Sequence, residues 1–179
     1  MLVRQNTGLV VVDVQGKLAR LVDESETLIS NCGKLIKGAQ VLGLPIIYLE
    51  QNPDKLGATV SELNDLLSEV EPVTKFTFNA CDEPKFVEAV QAKNVATWLV
   101  CGIEAHICVY QTAMGLLDLG YKVEAVSDCI GSRTALNKEL AICRIRESGI
   151  QITGLEMSLY ELVKDCRAPE FKSILSLIR

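Results

Sequence analysis

The sequence predicts an α/β protein with a three-layer α/β/α, Rossmann-like fold on a mainly parallel six-stranded sheet. Short apolar, β-branched runs alternate with longer segments of helical period along the whole chain. Runs such as Leu9–Val12 (LVVV) and Trp98–Val100 (WLV) are continuously hydrophobic, as parallel strands covered on both faces require. No internal repeat, low-complexity tract or linker composition interrupts the 179 residues, so residues 1–179 read as one domain with a sizeable core.

The elements follow in order. Thr7–Val14 (TGLVVVDV) is the first strand. Leu28, Cys32, Leu35, Ala39 and Leu42 then recur at helical spacing, and Gly43 ends the pattern. Pro45–Leu49 (PIIYL) is the second strand. Residues 51–70 are the least regular stretch and are expected to form a loop over the site. Pro72–Phe76 (PVTKF) is a short third strand. Asp82-Glu83-Pro84 opens a helix, because a first turn favours acids and loses nothing to proline. Thr97–Cys101 (TWLVC) is the fourth strand. Residues from Ile107 to Leu119 are apolar nearly all round and closed by Gly120, which predicts a deeply buried helix. Tyr121–Val126 (YKVEAV), a helix over 135–148 closed by Gly149, and Ile150–Thr153 (IQIT) complete the sheet. Helices over 157–165 and 169–178 end the chain.

Bulk properties exclude several partners. A net charge of −5 and a pI near 5.0, with basic residues scattered among acids, argue against nucleic acid. Hydrophobic residues make up 49% and the mean hydropathy is +0.24, yet no apolar run approaches the ~18 residues of a membrane span. The first strand begins too early to leave room for a signal peptide. The seven cysteines (32, 81, 101, 108, 129, 143 and 166) are odd in number and irregularly spaced, so a reducing, cytoplasmic setting without disulfides is expected. One histidine and no C-x-x-C pair argue against structural zinc. A nucleotide cofactor needs a glycine-rich turn after the first strand, and DVQGKLAR has one glycine.

Ligands of such sheets gather outside the carboxyl ends of the strands. The first strand ends in Asp13-Val14-Gln15, the third carries Lys75, and the fourth leads through Gly102 to Cys108 at the start of a helix. A thiol at a helix N-terminus is favoured as thiolate, a carboxylate can accept its proton, and an ammonium can hold the charges. Taken singly, Asp13 reads equally as a loop cap, Lys75 as a surface lysine and Cys108 as small apolar packing. His106 lies two residues from Cys108, a spacing that turns the two side chains apart on a helix.

LVVVDVQ, the isolated lysine of VTKFTFNA, and GIEAHICVYQTAMGLLDLGY together resemble the isochorismatase-like cysteine hydrolases. EQNPDKLGATVSEL, VSDCIGSRTALNKELAICRIRESG and PEFKSILSLI extend the resemblance over nearly the whole chain. It implies an Asp–Lys–Cys triad on Asp13, Lys75 and Cys108, cleaving a C–N bond of a small molecule through a covalent intermediate on the cysteine. It further implies a non-proline cis peptide between Ile103 and Glu104, turning the amides of Glu104 and Cys108 into an oxyanion hole. Gln15, Gln51, Phe78 and Tyr110 are then the expected pocket-facing residues, and a homo-oligomer is expected. Nicotinamidases of the superfamily bind a metal through additional histidines that this chain lacks, so neither metal nor cofactor is expected. Isochorismatase proper lacks the cysteine, which turns the expectation from ether to C–N hydrolysis. A catalytically silent binding or scaffold protein of the same fold is the alternative.

Overall fold

A computed structural model describes residues 1–179. Six strands form a single sheet in the order β3-β2-β1-β4-β5-β6, and every neighbouring pair is parallel. The strands are β1 Thr7–Val12, β2 Ile46–Gln51, β3 Val73–Lys75, β4 Thr97–Ile103, β5 Lys122–Gly131 and β6 Gln151–Thr153. The helices are α1 Leu18–Leu21, α2 Ser25–Leu42, α3 Pro53–Leu56, α4 Ser61–Asn64, α5 Pro84–Ala92, α6 Tyr110–Asp118, α7 Ala135–Glu147, α8 Leu155–Val163 and α9 Phe171–Ile178.

The continuous apolar runs are explained by burial on both faces. Leu9 and Val11 of β1 pack with α2, α8 and α9, while Val10 and Val12 join the opposite layer under α5, α6 and α7. On β4, Leu99, Cys101 and Ile103 face the first layer and Trp98 and Val100 the second. Each residue therefore serves a core, whichever way the pleat turns it.

Two boundaries and one burial pattern differ from expectation. β1 stops at Val12, because Asp13 takes a left-handed backbone (φ 49°), a conformation short polar residues tolerate best. β5 runs on to Gly131 past its polar Ser127 and Asp128, which lie where the β4–β5 register shifts. There Ser127 Oγ donates to the Thr153 carbonyl (2.9 Å) and Asp128 Oδ1 accepts from the Leu155 amide (2.8 Å) at the start of α8. The helix after β4 is covered on one side only: Thr112, Ala113, Gly115 and Leu116 are buried, Tyr110, Met114 and Leu117 half-buried, and Leu119 exposed.

The switch in strand order lies between β1 and β4, whose carboxyl ends approach closely at Gly102. A Cβ there would run into the Val12 backbone, and its φ of 115° is one that side chains rarely adopt. Gly102→Ala is expected to cost about 2–4 kcal/mol in stability, read by urea denaturation. An unchanged midpoint would show that the two strand ends can part.

Candidate active site

Three strand ends and one turn deliver the site. Asp13 leaves β1, Gln51 ends β2, Lys75 ends β3, and β4 runs through a cis Ile103–Glu104 peptide into a π-helical turn over Ala105–Val109 that carries Cys108. The four side chains converge. Lys75, wholly buried, donates from Nζ to Asp13 Oδ2 (2.7 Å), Gln51 Oε1 (2.6 Å) and the Thr77 carbonyl (3.2 Å), so all three of its N–H groups are used. Asp13 Oδ1 is buried with no hydrogen-bond partner. Cys108 is 7% exposed and lies close enough to Asp13 and Lys75 for both to shift its titration.

Burial dominates the electrostatics. It raises the Asp13 carboxyl above its ordinary range, against the lowering pull of the Lys75 ammonium. The Cys108 thiol is pushed up to about 12, by burial first and the Asp13 charge second, with Lys75 opposing. This corrects the expectation of a thiolate favoured by a helix N-terminus. The cysteine sits inside a π-helical turn, before α6 begins at Tyr110, and desolvation there favours the neutral thiol.

A cavity of about 100 Å³ opens onto Asp13, Gln51 and Cys108, with Lys75 buried behind them. Asp13, Gln51, Phe78, Glu104 and Cys108 line it together with Leu18, Leu56, Ile103 and Ile107. Phe78 is 55% exposed at its rim.

Two expected pocket residues lie elsewhere. Gln15 is fully buried and spends its amide on the loop opposite: Nε2 donates to the Gly57 (2.6 Å) and Gln51 (3.1 Å) carbonyls, and Oε1 accepts from the Gln51 amide (2.6 Å). With Glu50 Oε1 accepting from Thr59 N (2.7 Å) and Oγ (2.8 Å), it fastens residues 52–60 beside the site. Tyr110 turns away from the cavity, and the Arg144 guanidinium stacks over its ring at 4.8 Å. His106 also has other business, with Nδ1 at 2.9 Å from Ser132 Oγ.

Two lining residues and one neighbour outside the cavity went unread in the sequence. Leu18 and Leu56 belong to single-turn helices too short to show a period. Arg133, whose Nε donates to Glu104 Oε2 (3.2 Å), follows a β5 that was expected to end at Val126. Tracing the apolar Cys129–Ile130 pair as strand would have brought Ser132 and Arg133 to the correct edge.

Comparison with known proteins identifies the family and the fold. The isochorismatase domain model matches residues 7–157. A relative from Phytophthora sojae, named a secreted isochorismatase effector, is 37% identical over 190 residues, covering 99% of this chain and 87% of its own. The structure of MAR1 ribonuclease from Caenorhabditis elegans superimposes with a TM-score of 0.92 at 33% identity, over 99% of this chain and 91% of that one. The ycaC gene product of Escherichia coli, described as an octameric hydrolase of unknown specificity, gives 0.93 at 25% identity, over 99% and 88%.

Proposed function

The chain belongs to the isochorismatase family of hydrolases, and from that premise we propose that it cleaves the C–N bond of a small amide through a covalent acyl intermediate on Cys108. The observation that supports this most is the convergence of a buried thiol and a carboxylate with an unpartnered oxygen on one cavity, the carboxylate being held by a buried ammonium.

At rest the proton stays on sulfur. As the substrate enters, Asp13 Oδ1 accepts that proton while sulfur attacks the carbonyl carbon, and the C=O electron pair moves onto oxygen. The backbone N–H groups of Glu104 and Cys108 are the donors we assign to that oxyanion; one such donor is worth about 3 kcal/mol. Lys75 keeps Asp13 in place and balances its charge. Asp13 then protonates the nitrogen, the C–N bond breaks and ammonia or an amine leaves. Water attacks the thioester, giving a proton to Asp13, and the C–S bond breaks to release the acid. Sulfur finally recovers its proton. The sum is amide plus water to carboxylic acid plus amine. Gln51 and Phe78 are assigned to substrate contact, the first beside the ammonium and the second at the rim.

Nucleic acid is no part of the proposal: the chain carries a net −5, and the cavity holds about three water volumes. A homo-oligomer is part of it. Half-buried Tyr110, Met114 and Leu117 and exposed Leu136 and Leu140 offer apolar surface on α6 and α7. Light scattering at the monomer mass would remove that element. No helix is long and apolar enough to cross a membrane. The cysteines are unpaired, and we assign the protein to a reducing, cytoplasmic compartment, read by the free-thiol count of the freshly extracted chain.

The decisive test is mass spectrometry of protein quenched during turnover of a panel of small amides and carbamoyl compounds. An acyl group of the substrate's mass on Cys108 is the expected result. A silent binding protein gives neither adduct nor ammonia.

A further inference from the structure

Resting on that amidase reading, we propose that the pocket selects a short-chain aliphatic amide and rejects substrates carrying a carboxylate. Size is the first ground. About 100 Å³ of space lies beside the thiol and opens to solvent past Phe78, so the walled part takes a short chain and a longer one must run out over the rim. The second ground is the wall: Leu18, Leu56, Phe78, Ile103 and Ile107 present hydrocarbon, and an aliphatic tail there loses water without leaving a polar group unpaired.

The third ground is the disposition of the cations. Lys75 has given its three N–H groups to Asp13, Gln51 and the Thr77 carbonyl, leaving none for a substrate anion. Arg133 is tied through Nε to Glu104 Oε2, its side chain is 56% exposed, and it does not line the cavity. A carboxylate on the substrate would therefore be stripped of water beside Asp13 and Glu104 with no free side-chain cation to meet it. Finally, Asp13 lines the cavity, and its Oδ1, buried and without a hydrogen-bond partner, is the acceptor we assign to one N–H of a small amide. That N–H belongs to the nitrogen that must later receive the proton.

Two alkylating agents of nearly equal size read the charge selection without needing turnover. Iodoacetamide is a neutral primary amide, and iodoacetate is its carboxylate counterpart. With the exposed Cys143 and Cys166 of the same molecule as references, the preference for iodoacetamide at Cys108 is expected to exceed theirs by about 100-fold. Arg133→Ala should leave that preference in place. Equal preference at all three cysteines, or iodoacetate labelling of Cys108 that Arg133→Ala abolishes, overturns the proposal. Ammonia release then reads size and chemistry. Propionamide or butyramide should be turned over best, with hexanamide and succinamate each lower by about tenfold or more, and Phe78→Ala should recover hexanamide alone. A flat response to length, or succinamate ahead of butyramide, also overturns it. Silence across the whole amide series would instead remove the amidase reading, while the alkylator pair still decides the charge selection.

Discussion

Lys75→Met is expected to cost about 3–5 kcal/mol in stability and to eliminate turnover, because it leaves Asp13 as an unpaired carboxylate in the core. Methionine keeps most of the apolar stem, so the loss reports the ammonium rather than packing. The pH dependence gives the cause a second signature. Burial already holds the Asp13 carboxyl above its ordinary 3.8 in the folded protein, and removing Lys75 takes away the main opposing influence. A carboxyl whose folded pKa exceeds its unfolded one binds its proton more tightly when folded. Its contribution is thus most favourable below the unfolded pKa and falls as pH rises through the folded value. The variant should lose stability relative to wild type as pH is raised above about 4, in urea titrations at several pH values. A pH-independent loss would mean that packing, not charge, was removed. Asp13→Asn combined with Lys75→Met should recover part of the loss, since a neutral amide in place of the carboxylate costs less to bury.

The fold was legible because each run of buried strand announces itself locally. LVVV, PIIYL and TWLVC are hydrophobic on both pleat faces, and Gly43, Gly120 and Gly149 end their helices in the left-handed conformation. What escaped depends on contacts between distant segments. Ser127 and Asp128 look like loop residues, and only their bonds to Thr153 and Leu155 make them compatible with strand. Gln15 illustrates the same limit in the site. A glutamine two residues past Asp13 points toward chemistry in the sequence, but the backbone of Gln51 at the end of β2 takes both ends of its amide and the Gly57 carbonyl shares the Nε2 end. Tyr110, expected at the pocket wall, carries the Arg144 guanidinium over its ring instead, a partner on α7 that local spacing does not announce. Topology put Asp13, Lys75 and Cys108 at or just past three strand ends, where each alone read equally as structural; it was the resemblance of their surrounding motifs that joined them as a triad. The state of the thiol was not legible, since burial is a sum over many residues that no motif records.

That state bears on the second large effect. Cys108→Ala is expected to lower turnover of any confirmed amide by on the order of 10⁴-fold or more while the unfolding midpoint stays close to wild type. Retained turnover would remove the covalent route. The raised thiol adds a condition on how the nucleophile is formed. With its pKa pushed up to about 12, Cys108 is a neutral thiol across the physiological range, and its thiolate population rises tenfold with each pH unit below that value. Direct alkylation by iodoacetamide draws on that thiolate, so its rate should climb through pH 7–10 without a plateau. Catalysis that hands the proton to Asp13 during attack draws instead on the thiol and the ionised carboxylate together. For a substrate that holds the carbonyl against sulfur, kcat/KM should therefore level off once Asp13 has ionised, well before labelling does. The two profiles must separate if Asp13 is the base. If turnover and labelling rise with the same slope, sulfur ionises before the substrate arrives, and the carboxylate 2.7 Å from Lys75 serves only to hold the ammonium.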